Sequence, residues 1–223
     1  MRRVQVFDVN ETLLDLAALD PLFEDAFGDA GVRRAWFTQM IQSALVATVT
    51  GAYRTFGEVG AAALQMTADQ LGVELLKEDR DAITGRLRQL PAHPEVPEAL
   101  ERLGHAGYRL AALTNSTEEV ARAQLEHAGI VDRFEQVLSA DAVRRLKPAP
   151  EPYRFAAERL GVGVGEVRLV AAHAWDVAGA TRAGCAAAFV ARPGKVLDPL
   201  AEPPDVVGAD LDEVVDGILA TDA

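Results

Sequence analysis

Two aspartates, a lysine and a histidine stand in this 223-residue chain where small-molecule chemistry would need them, at the borders between apolar runs and helical texture. Asp8 lies in the apolar run 4–9 (VQVFDV), Lys147 comes just before a helix-forming stretch, and His173 and Asp176 follow the apolar run 167–172. Lysine is scarce, with only Lys77, Lys147 and Lys195 against many arginines, so a lysine beside a polar motif invites attention. His173, with its near-neutral intrinsic pKa, can serve as a base or simply bond the loop around it. Thr12, Thr114, Asn115 and Ser116 supply hydroxyls and an amide at other strand ends; they suit either ligand binding or turn and helix capping. Two familiar signatures are missing: Gly161, Gly163 and Gly165 lack the dinucleotide-loop spacing and precede a strand, and no serine sits in a GxSxG elbow.

The elements that must position these groups can be read from periodicity. Residues 4–9 make a short buried strand leading into an acidic, turn-prone stretch. From 16 to 91 the pattern is helical: Phe37, Met40, Ile41, Ala44, Leu45 and Thr48 share one face, and Val59, Ala62, Ala63 and Met66 repeat the spacing. Pro91, Pro94 and Pro97 close this block. Helices at 98–106, 118–128, 151–160, 177–184 and 211–219 then alternate with strands at 109–113, 136–139, 167–172 and 187–191. Such alternation predicts an α/β fold, a Rossmann-like parallel sheet core with a helical cap inserted after the first strand. The domains follow: 1–15 with 92–223 as core, 16–91 as cap. In an open parallel sheet, ligands bind beyond the carboxyl ends of the strands. The polar groups at Asp8–Thr12, Thr114–Thr117, Lys147 and His173–Asp176 therefore converge, with the insertion above them.

Composition narrows the class. A net charge of −12 argues against a nucleic-acid surface, which needs clustered basic residues. No window approaches the ~18 continuous apolar residues of a membrane span. The N-terminus lacks a signal-peptide apolar region, and Cys185 is the lone cysteine, so the expected location is a reducing cytoplasm.

FDVNETLLD (7–15), LTNS (113–116), LKPAPEPY (146–153) and HAWD (173–176) resemble, in order and spacing, the four motifs of the haloacid dehalogenase-like superfamily. The likeness spans essentially the whole chain and is greatest to the L-2-haloacid dehalogenases. It implies a hydrolase in which Asp8 is the nucleophile, forming an ester with a short 2-haloacid or similar small carboxylate. A carboxylate does this only when ionised, desolvated and aimed. By the same resemblance Thr12 holds Asp8, and Lys147 keeps Asp8 and Asp176 ionised against their mutual repulsion. Asp176 or His173 activates water. Thr114 and Asn115 bind the substrate carboxylate, while Asn10, Phe37, Phe56, Tyr153 and Trp175 complete the pocket. No cofactor is implied, and dimerisation through apolar helical surfaces is suggested.

The chain departs from the pattern that it resembles at three places that keep two alternatives open: a phosphatase on the same scaffold, and a non-catalytic binder of small carboxylates. Superfamily phosphatases carry an acid/base aspartate two residues after the nucleophile and the dehalogenases a tyrosine; here the residue is Asn10. Phosphatases also carry two acidic positions that help to hold magnesium, and here Ala171 replaces one of them. Dehalogenases place an arginine after the tryptophan of the first cap helix, where Phe37 follows Trp36. His173 stands where those enzymes commonly have asparagine.

Overall fold

The computed structural model describes residues 2–222. Its centre is a six-stranded, all-parallel sheet in the order β3-β2-β1-β4-β5-β6, formed by β1 (Val4–Phe7), β2 (Leu110–Thr114), β3 (Gln136–Ser139), β4 (Val167–Ala171), β5 (Ala186–Val190) and β6 (Val206–Gly208). Strands β1, β2 and β4 are buried along their whole length, which is why they read as continuous apolar runs instead of alternating ones. β1 pairs with β2 on one side and β4 on the other, so the strand order reverses there, and the crevice outside the ends of β1 and β4 is the topological switch point.

Between β1 and β2 lie α1 (Asp20–Phe27), α2 (Val32–Thr50), α3 (Phe56–Leu71), α4 (Lys77–Arg86) and α5 (Val96–His105). The last packs on the sheet with α6 (Glu118–His127), α7 (Pro150–Leu160), α8 (Ala174–Ala183) and α9 (Leu211–Thr221). Helix α3 starts at a capping box in which Thr55 and Glu58 satisfy each other's backbone amides. Trp36 donates from its indole to the Gly60 carbonyl at 3.0 Å, and the absent side chain at Gly60 lets Met40 approach. The buried stripe of α3 is Val59, Gly60, Ala63, Leu64, Thr67 and Ala68, whereas Ala62 and Met66 face outward.

Three differences from the sequence reading stand out. β1 stops at Phe7, placing Asp8 just past the strand. Helix α8 begins at Ala174, three residues before its first strong apolar position, so Asp176 sits in its first turn. β6 has only three residues within an acidic, proline-rich segment, too short for any period to register. Among the described residues no helix is long and apolar enough to cross a membrane.

Gly179 of α8 is a close-approach position. A Cβ there would meet Pro148 Cβ at 2.5 Å and the Tyr153 hydroxyl at 2.7 Å, so the helix packs directly on the loop carrying Lys147. Gly179→Ala is therefore expected to destabilise the fold by about 1–3 kcal/mol, read from urea unfolding midpoints.

Candidate active site

The polar side chains at the switch point centre on Asp8, the residue just past β1. Its Oδ1 accepts from Lys147 Nζ at 2.8 Å, and its Oδ2 accepts from the Thr12 hydroxyl at 2.7 Å. Thr12 is itself fixed: its hydroxyl accepts from the Ala172 amide at 3.0 Å, and its carbonyl accepts from Arg192 at 2.9 Å. Lys147 Nζ also donates to Asp176 Oδ2 at 2.6 Å and to the Leu113 carbonyl at 3.0 Å, which uses all three of its protons. His173 Nδ1 lies 3.2 Å from Asp8 Oδ2 and its Nε2 lies 2.9 Å from Glu11 Oε2, while Lys195 donates to the same Glu11 oxygen at 2.5 Å. From Asp176 to Lys195 three anions alternate with three cations.

This alternation sets the protonation states. Burial alone would raise the pKa of Asp8, but Lys147 and His173 outweigh it and hold the carboxyl well below the usual carboxylate range. Burial likewise works against charge on Lys147 and on His173, yet the flanking carboxylates raise the pKa of both. Glu11, also disfavoured by burial, is brought down to about 2 by His173 and Lys195. Asp176 moves the other way: burial raises it, Lys147 opposes, and the nearby charge of Asp8 adds to the rise.

The remaining sequence candidates divide into two groups. Asn10, Phe37 and Phe56 line a cavity of about 550 Å³ together with Trp36, Met40 and Ser116. The Asn10 Oδ1 accepts from Gln124 Nε2 at 3.0 Å. Thr114, Asn115 and Tyr153 also hold other polar groups of the site. The Thr114 hydroxyl accepts from the Ser116 amide, and Asn115 brackets the Lys147 backbone, accepting from its amide at 2.7 Å. Tyr153 is buried and donates to Asp176 Oδ1 at 2.5 Å. Asn115 and Tyr153 thus aim the lysine and its aspartate. Trp175 stacks on His173 at 5.0 Å, and Phe37 stacks on the same ring at 5.6 Å, so the imidazole is clasped between helices α8 and α2.

Sequence reasoning missed Glu11, Lys195 and Gln124. Glu11 lies inside the first motif but in the left-handed region, with φ of 62°, a strained geometry for a side chain this long. Its carboxylate, gripped by His173 and Lys195 and 3.8 Å from Arg33, explains why the strain persists. Only the rarity of lysine pointed toward Lys195, and nothing in the helical pattern of α6 singled out Gln124. His93 is half-buried with an unpartnered Nε2 and lines a second cavity of about 620 Å³ with Glu11, Arg33, Arg192 and Lys195. Phe37 and Leu16 line both cavities.

A divalent cation does not fit this arrangement. The Lys147 ammonium already bridges Asp8 and Asp176, and the Ala171 side chain has no oxygen to offer.

Comparison with known proteins agrees across sequence and structure. A family model described as haloacid dehalogenase-like hydrolase matches residues 3–184. An (S)-2-haloacid dehalogenase of Pseudomonas sp. (strain YL) is 28% identical over 89% of this chain and 87% of its own. (S)-2-haloacid dehalogenase 4A of Burkholderia cepacia is 32% identical over 82% of this chain and 80% of its own. The structure of L-2-haloacid dehalogenase from Xanthobacter autotrophicus with chloropropionic acid covalently bound superposes with a TM-score of 0.89. It is 27% identical and covers 97% of this chain and 98% of that one.

Two outcomes follow from the charges. Lys147→Met leaves two buried carboxylates facing each other, and should cost about 3–5 kcal/mol in urea unfolding at neutral pH. Because the pKa of Glu11 is lowered from 4.5 to about 2, its stabilisation is complete above pH 4.5 and is lost as pH falls toward 2. His173 is raised from 6.5, so its share is complete below pH 6.5 and is lost as pH rises through the folded value. Stability from this cluster should therefore peak between pH 4.5 and 6.5. Unfolding of Glu11→Gln across pH 2–7 should lose up to about 3 kcal/mol of the wild-type acid dependence.

Proposed function

We propose, given that this chain belongs to the haloacid dehalogenase-like hydrolases, that it converts short L-2-haloacids to 2-hydroxyacids and halide through an ester on Asp8. The observation that carries the residue roles is the single ammonium of Lys147 held between Asp8 and Asp176 at 2.8 and 2.6 Å. It supplies fixed positive charge next to the nucleophile without requiring a metal ion.

The geometry supports a mechanism in two half-reactions. Asp8 is ionised and only 5% exposed, so little water must be stripped from it before attack. Thr12 and Lys147 hold it from two sides, reducing the reorganisation needed to reach the carbon. Asp8 attacks the halogen-bearing carbon from behind, the carbon–halogen bond breaks, halide departs with the bonding pair, and the configuration inverts. Water then adds to the ester carbonyl of Asp8, and the alcohol leaves with an oxygen that came from the aspartate. The cavity lined by Trp36, Phe37, Met40 and Phe56 gives the carbon chain an apolar wall. A phosphatase would need an acid two residues after the nucleophile. Asn10 cannot supply a proton there, and Gln124 already engages it.

The same reading assigns residues 1–15 and 92–223 to a core domain and 16–91 to a helical cap that opens for exchange and closes over the site. Direct ties support a cap that closes: the Phe37–His173 stack, and Tyr53 bonded to Asp141. A homodimer belongs to the reading too, supported by Val46 and Val49 exposed on α2. So does a cytoplasmic location, supported by the free, buried Cys185.

Halide release should occur from L- but not D-2-chloropropionate and should survive EDTA. Asp8→Asn should abolish it. A single turnover in ¹⁸O-water should give unlabelled 2-hydroxyacid and leave label in Asp8. Labelled product from the first turnover would rule out the ester route, and silence across the panel would remove the dehalogenase reading.

A further inference from the structure

The hydrolytic half of the reaction needs a base beside the ester carbonyl of Asp8, and the residues around it differ sharply in fitness for that task. Lys147 is charged and has no lone pair to offer. Asp176 is completely buried, with one oxygen accepting from Lys147 and the other from Tyr153. His173 Nδ1, in contrast, lies 3.2 Å from the reacting carboxylate, and its other nitrogen lies 2.9 Å from a second carboxylate, that of Glu11.

Resting on the dehalogenase reading, we propose that Glu11 and His173 form a water-activating dyad, with His173 Nδ1 as the base and Glu11 as the residue that positions the ring. A carboxylate accepting from one imidazole nitrogen fixes the tautomer that leaves the other nitrogen free to take a proton. Glu11 is suited to this because Lys195 at 2.5 Å and Arg33 at 3.8 Å keep it ionised. The aromatic clasp of Phe37 and Trp175 fixes the ring plane, so Nδ1 stays aimed at Asp8 through both half-reactions.

Formation of the ester itself arms the base. In the resting site each ring nitrogen of His173 faces a carboxylate oxygen, an arrangement that favours the imidazolium, in which both nitrogens donate. Alkylation converts Asp8 into a neutral ester and expels halide, so the imidazolium loses one of its two anionic partners. It then releases its Nδ1 proton to solvent while Glu11 retains the Nε2 proton. Neutral Nδ1 accepts a proton from the attacking water, and a tetrahedral adduct forms at the Asp8 carbonyl. The adduct collapses with cleavage of the acyl–oxygen bond, and the departing alkoxide takes the proton from His173. Asp8 is left as a carboxylic acid, which passes its proton to Nδ1 and restores the ion pair. The sum is haloacid plus water giving hydroxyacid, halide and one proton. The charged groups facing the ring are Asp8 past β1 and Glu11 in the loop after it. Behind these stand Lys147 and Asp176 on one side, and Lys195 and Arg33 on the other.

The test is rapid mixing with excess L-2-chloropropionate, following chloride release and the intact-protein ester mass from pH 5 to 9. Wild type should show ester hydrolysis rising with pH through one ionisation. His173→Gln should still give a chloride burst of one per site, then accumulate ester that clears about a hundredfold or more slowly, with no dependence on that ionisation. Glu11→Gln should clear ester slowly with the ionisation moved to lower pH, and Glu11→Asp should recover part of the rate. Ester clearance at the wild-type rate in His173→Gln would overturn the base assignment. A wild-type pH profile in Glu11→Gln would overturn the positioning role, and that variant carries the test should His173→Gln not fold. If wild type releases no chloride at all, the dehalogenase reading fails first and the dyad with it, an outcome separable from normal chloride release with unchanged ester clearance in the variants.

Discussion

A lysine ammonium removed from water between two carboxylates constrains everything else at this site. Desolvating one such ion costs several kcal/mol, and the cost is offset only if every proton finds an acceptor and every neighbouring charge is balanced. Lys147 meets the first condition with Asp8, Asp176 and the Leu113 carbonyl. The second explains the length of the charge chain. Two carboxylates on one ammonium leave a surplus anion, His173 answers it, Glu11 answers His173, and Lys195 completes the series near the surface. The chain ends where a side chain can reach solvent.

Placement of these groups follows from the parallel sheet. Strand ends from distant parts of the sequence meet at one edge, and short loops beyond them need only a few residues to bring six charges within hydrogen-bonding distance. The helical block adds the component that the sheet cannot provide, an apolar surface above the polar floor. Phe37 stands at that seam, stacked on His173, lining both cavities and lying under the Lys195 ammonium. The ring thus joins the helical block to the polar floor at His173.

Much of this was legible before any coordinates. Buried parallel strands announce themselves as unbroken apolar runs, and motif residues at their ends are forced together once the strands share a sheet. That is why the sequence order implied that Asp8, Thr12, Lys147, His173 and Asp176 would meet, as they do. What escaped is governed by direction and not by position. Asn115 and Tyr153 lie at the right places in the chain, but their polar atoms turn inward to hold Lys147 and Asp176, and no pattern of residue types encodes that turn. Glu11 looked like one more acidic loop residue; its role depends on a left-handed backbone and on a lysine 184 residues away.

Those sequence separations govern the order in which the protein can be made. Asp8 waits for Lys147, 139 residues further along, and for His173, 165 residues further. Synthesis proceeds from the N-terminus, so the nucleophile leaves the ribosome long before any cation that can neutralise it. A partly made chain must keep Asp8 hydrated, and β1 cannot take its central place in the sheet until β4 exists to flank it. The chemistry and the last stage of assembly are therefore one event: closing the sheet around β1 buries the carboxylate and, in the same movement, delivers its counter-ions.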